Sequence, residues 1–116
     1  MKLSQKHYEL FRSECEKQLE RLGLNGWKIY YQFKPLKDGF ADAEWSLSGR
    51  VATISCATSF PKPFDNLEQL IKETALHECL EILLGPLTTL AQERTFNRAE
   101  LDNHVHSIIR TLEKLL

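Results

Sequence analysis

Much is scarce in this chain of 116 residues, and each scarcity excludes something. No apolar run approaches the ~18–20 residues that a bilayer-spanning helix needs, so no membrane segment is expected. The first residues, MKLSQKHYELFRSECEK, are polar and helical in pattern, without the apolar stretch of a secretory signal. Only three cysteines occur, Cys15, Cys56 and Cys79, far apart and with no C-x-x-C spacing. An odd, sparse count predicts buried thiols in the cytoplasm rather than a disulfide framework. An excess of one charge is missing too: 15 Lys and Arg stand against 16 Asp and Glu, a formal net charge of −1. The basic residues are spread out and not interleaved with aromatics, so nothing draws the chain toward nucleic acid or an anionic membrane. Repeats, low-complexity tracts and linkers are absent as well. A single domain over residues 1–116 with a modest core follows.

What is there reads as helix, about three strands, helix, helix. Tyr8, Phe11, Cys15, Leu19 and Leu22 make one apolar stripe at helical spacing. Ser4 is the expected N-cap, Gly23 and Asn25-Gly26 the expected stop, and His7 an expected surface residue. Residues 27–33 alternate strictly, with Trp27, Ile29, Tyr31 and Phe33 on one face, which predicts a strand. Residues 44–48 and 50–57 flank Ser48-Gly49 as a hairpin. The second of these is rich in β-branched and small residues. It is expected at a sheet edge, where Ala52, Ser55 and Ala57 leave room for an extended ligand, or else as a plain half-buried strand. A proline-bearing connection over residues 59–66 follows, and Asp65 or Asn66 caps a helix that Gly85-Pro86 is expected to stop. Residues 87–94 make one or two turns. Asn97 and Glu100 have capping-box spacing before a last helix, whose expected core stripe is Leu101, Val105, Ile108, Leu112 and Leu115.

The chemistry concentrates in the central helix, at His77-Glu78-Cys79-Leu80-Glu81. His77 and Glu81 are four residues apart, so they lie on one face, with Glu78 one step round. Leu76, Leu80, Ile82, Leu83 and Leu84 surround them, which predicts burial. Buried charge is costly unless it is paired, neutralised or metal-bound. In the pattern H-E-x-x-H two histidines hold a divalent metal and the glutamate is the general base. Here the second ligand position carries a carboxylate, itself a zinc ligand. A buried His–Glu pair satisfied by hydrogen bonds is the other reading. A third ligand is required, and the C-terminal helix offers His104 first, with His106 and Asp102 behind it. A histidine there gives a zinc-type set, whereas Asp102 gives one nitrogen and two oxygens and tolerates manganese. Cys79 lies about 200° from His77 round the helix and packs on the other side. Among leucines its thiol pKa rises, which argues against a catalytic cysteine.

Three stretches carry a resemblance: Ala75-Leu76-His77-Glu78, Leu83-Leu84-Gly85-Pro86-Leu87, and His106-Ser107-Ile108-Ile109-Arg110-Thr111-Leu112-Glu113. They resemble the small zincin-like metallopeptidases of phage and prophage genomes. The helix of those proteins reads A-L-H-E-x-x-H-x-x-L-x-P-L, and their terminal helix leads through an acidic/His cluster into I-I-x-x-L-E. The resemblance implies an α+β, zincin-like fold with an N-terminal helix, a small three-stranded sheet, a central metal-site helix and a C-terminal helix. It implies a zinc-dependent peptidase acting on a peptide or protein in the host cytoplasm, with His77 and Glu81 in the ligand positions and Glu78 as base. Manganese or another divalent ion is the alternative metal. The departure is Glu81, where the family has its second histidine. Extra negative charge weakens the metal as a Lewis acid, so a catalytically degenerate member serving as a structural or protein-binding module is the alternative function.

Overall fold

In a computed structural model that describes residues 1–60, 65–93, 95 and 97–116, three helices and three strands follow in the expected order. The first helix, α1 (Gln5–Arg21), opens on a reciprocal cap. The Ser4 hydroxyl accepts the His7 backbone N–H at 3.3 Å, and the His7 ring Nδ1 accepts the Ser4 N–H at 3.0 Å. His7 therefore stands where a capping box usually has glutamate, a role beyond the surface position that its sequence suggests. At the far end Gly23 takes φ 72°, where a side chain would be strained. The Leu24 N–H then reaches the Leu19 carbonyl at 2.9 Å and the Gly23 N–H reaches Glu20 at 3.0 Å, the bond pair of a Schellman stop. Between the caps, Phe11, Cys15 and Leu19 are buried at four-residue spacing.

The strands are β1 (Lys28–Phe33), β2 (Ala41–Ser46) and β3 (Val51–Cys56), in the order β1-β3-β2. β1 runs parallel to β3 and β2 antiparallel to it, in a register that aligns Tyr31, Ile54 and Ala43 across the sheet. Ile29 and Phe33 from β1, Ala52 and Cys56 from β3, and Ala41 and Trp45 from β2 share that face and meet the helices. The expected edge position of β3 is thereby corrected: it is the central strand, and both of its edges are used. Its small and β-branched residues fill the middle of a sheet, where Ala52, Ile54, Ser55 and Cys56 are all buried. Among the described residues, the free edges belong to β1 and β2.

Asn66 caps α2 (Leu67–Ala91), its Oδ1 accepting the Gln69 N–H at 3.2 Å. The proline-bearing connection at 61–64 lies outside the described residues. Ile71, Ala75, Glu78, Cys79, Ile82 and Gly85 form the buried stripe of α2. Contrary to expectation, Gly85-Pro86 does not stop this helix, which continues to Ala91. Tertiary packing overrides the breaker. A Cβ on Gly85 would stand 3.1 Å from Trp45 Nε1, so the glycine serves the close approach of the indole. One turn later the same Nε1–H donates to Thr89 Oγ1 at 3.1 Å and ties the far side of the proline to β2.

Asn97 caps α3 (Arg98–Leu115), its Oδ1 accepting the Glu100 N–H at 2.6 Å. The helix is rotated from its expected setting. Leu101, His104, Ile108, Thr111 and Leu115 are half-buried, whereas Val105 and Leu112 are exposed, and α3 buries no residue completely. The core instead lies between α1, α2 and the inner face of the sheet. No helix among the described residues is long and apolar enough to cross a membrane.

Candidate metal centre

Helical spacing puts His77 and Glu81 one turn apart on α2, and their side chains meet, with His77 Nε2 3.5 Å from Glu81 Oε1. Both face solvent, at 70% and 45% side-chain exposure. Glu78, turned about 100° from His77, falls on the buried stripe and is only 4% exposed. The expected burial of all three groups thus holds for one. A stripe facing the sheet is narrower than the apolar content of the helix suggests.

Glu78 is the anomaly of the core. Its Oε2 is buried and has no hydrogen-bond partner among the described residues. Burial foremost pushes its carboxyl up to about 8. Interaction with the Glu81 carboxyl, as hydrogen-bond partner and as like charge, adds to this, and the charge of Asp42 contributes last. A cation would oppose this shift, supplying the partner that Oε2 lacks and the countercharge that Glu78 and Glu81 lack.

The donor set fits such an ion. One ligand atom from each of His77, Glu78 and Glu81 can be chosen so that all lie within 4.8 Å of one another. Two donors each ~2.1 Å from a tetrahedral metal are ~3.4 Å apart, which matches the 3.5 Å between His77 and Glu81. One imidazole nitrogen with carboxylate oxygens suits zinc, and manganese or iron as well. The exposure of His77 leaves the outer side of the group open to water, as a catalytic rather than a closed structural site requires.

His104 does not join these residues. It lies on α3 and lines a cavity with Ile82, Leu83 and Pro86, and its Nε2 is 4.0 Å from Glu100 Oε1. Counting 100° per residue, Ile82 and Pro86 lie 140° and 180° round α2 from His77, so α3 packs on the side away from the metal face. His106 and Asp102 are exposed on α3 and also stand outside the group. The residue that sequence reading missed is Asp42, on β2. Extending the alternation of the hairpin back through Ala41-Asp42-Ala43 would have found the strand that carries it, though not its proximity to Glu78. Phe40 and Ala41, at the start of that strand, line a cleft of about 310 Å³ together with Leu70, His77 and Glu78.

The cysteines behave as structural residues. All three are free and buried, and the Cys79 thiol donates to the Cys15 carbonyl at 3.5 Å, on the side of α2 away from His77. Burial pushes the Cys56 thiol up to about 12. The Cys15 thiol is raised as well, by its interaction with Cys79 and then by burial. Cys15 and Cys56 are thus kept as neutral thiols.

No family model and no curated protein matches the chain. Among solved structures it is similar to the metallopeptidase zymogen jannalysin of Methanocaldococcus jannaschii. The identity is 21%, over 88% of this chain and 96% of that one, with a TM-score of 0.45. At that distance the likeness adds nothing to the reading of the site, which rests on the residues of this chain.

Proposed function

We propose that His77, Glu78 and Glu81 are the working residues of a zincin-like, divalent-metal-dependent peptidase. The observation that carries this reading is the buried Glu78 carboxyl, whose Oε2 has no partner among the described residues, beside an exposed His77–Glu81 pair spaced like two ligands of one cation. His77 Nε2 and Glu81 Oε1 would hold the ion, with zinc first and manganese or a similar ion next. A bound metal polarises a carbonyl and lowers the pKa of a coordinated water. Glu78, whose ionised form a bound cation would favour, accepts a proton from the attacking water and returns it to the leaving nitrogen as the C–N bond breaks. An extended peptide is aligned by the free edge of β2, since Phe40 and Ala41 share the cleft with His77 and Glu78. This replaces the role first given to residues 51–56, whose edges are both paired.

A second reading keeps the metal and drops the turnover. It is favoured by the donor set itself, since a carboxylate at Glu81 adds negative charge and leaves a poorer Lewis acid. Two measurements on untagged protein separate these readings. Elemental analysis after metal supplementation is expected to give ~1 equivalent of a divalent metal, falling with His77→Ala and Glu81→Ala. Less than about a tenth of an equivalent, where a formed site should fill, overturns both readings. Hydrolysis of an unfolded protein substrate that Glu78→Gln abolishes supports the peptidase. A metal-loaded protein with no hydrolysis supports the binding module.

A further inference from the structure

His104, set apart from the metal group, leads to a second site. The cavity that it lines measures about 310 Å³, at the lower end of the ~300–1,000 Å³ typical of small-molecule pockets. Trp27, Ile82 and Leu83 provide apolar wall, whereas Arg50, His104 and Ser107 provide donors. No carboxylate lines it, in a chain with 16 Asp and Glu, and the one beside it, Glu100, stands 4.0 Å from His104 Nε2. Arg50 takes φ 52° beside Gly49 at φ 86°, at the close of the tight turn between β2 and β3, where its N–H reaches the Leu47 carbonyl at 3.2 Å. Its Nη1 stands 3.7 Å from where a Cβ on Gly26 would lie, on the cavity wall, and Arg50 has no ion pair among the described residues.

We propose that this cavity binds a small anionic amphiphile, a carboxylate on a short apolar body, with Arg50 and His104 as donors to the anion and Trp27, Ile82 and Leu83 against the apolar part. The guanidinium is a permanent cation with a planar fork of donors that matches a carboxylate. The site is on the side of α2 away from His77 and shares no lining residue with the metal group.

Titration calorimetry of the full chain with octanoate tests it, with octanol and octylammonium as probes of the same apolar length. Octanoate is expected to bind, and octanol and octylammonium to bind at least ~10-fold more weakly, since a charge-assisted pair contributes at least one such factor. Arg50→Gln is expected to weaken octanoate by ~10-fold or more. Thr111→Trp, which fills the cavity from the peripheral helix α3, is expected to abolish binding while the circular dichroism spectrum stays unchanged. His77→Ala is expected to leave octanoate affinity as it is. No binding of octanoate at millimolar concentration, equal binding of octanol, or full affinity in a folded Thr111→Trp variant each overturns the proposal.

Discussion

Replacing Glu78 by glutamine is expected to stabilise the metal-free protein, and to do so only at high pH. In the folded chain the carboxyl is pushed up to about 8, against 4.5 when unfolded. Below pH ~4.5 both states are protonated, and the buried group carries no ionisation penalty. Between those two values the unfolded chain gives up its proton while the folded chain keeps it, so stability falls as pH rises. Above pH ~8 the whole penalty persists. At 1.36 kcal/mol per unit the difference sets a ceiling of about 5 kcal/mol. Relaxation of the site and sharing of a proton with Glu81 reduce this to about 2–4 kcal/mol. For a domain of this size that is ~8–16 °C in Tm. Glutamine has nearly the same shape and no charge to bury. Thermal unfolding in chelator is therefore expected to show the variant ahead of wild type by that margin at pH 9, with the two close together at pH 4. Equal Tm values at pH 9, or a gain of the same size at both pH values, refutes the account of Glu78 as a penalised buried acid. Adding zinc at pH 8 is expected to stabilise wild type and to do little for a His77→Ala, Glu81→Ala double variant.

Three further outcomes test the packing. Gly85→Ala is expected to lower stability, because Trp45 is pinned by its bond to Thr89 and cannot yield to a Cβ at 3.1 Å. In a Trp45→Ala background the same change is expected to gain up to ~1 kcal/mol of helix propensity, and denaturant melts of the four proteins measure the reversal. On α3, Val105→Lys and Leu112→Lys are expected to stay within ~0.5 kcal/mol of wild type by the same assay, whereas half-buried Ile108→Lys costs clearly more. A thiol reagent is expected to find no fast-reacting cysteine in the native protein at pH 7.5 and all three after denaturation, since every thiol is buried.

The sequence alone determined the element order, the caps at Ser4 and Asn97, the inner face of β1, and the meeting of His77 with Glu81. These follow from spacing of 3.6 or 2 residues and from side chains that bond their own backbone, both local in the chain. Four features were decided by tertiary structure. Strand order was one, because the composition of β3 suits a centre or an edge equally and only pairing distinguishes them. The passage of α2 through Gly85-Pro86 was another, since the indole that packs on the glycine comes from Trp45, 40 positions earlier. The rotation of α3 was a third: its stripes through His104 and through Val105 are both helical, and the surface of α2 selects between them. That selection carried His104 to the far side of α2 and left it lining a different cavity. The fourth was the partition within the motif, in which His77 and Glu81 face water and Glu78 is buried. A single helix records which residues share a face, but the direction in which that face points is set by what packs against it.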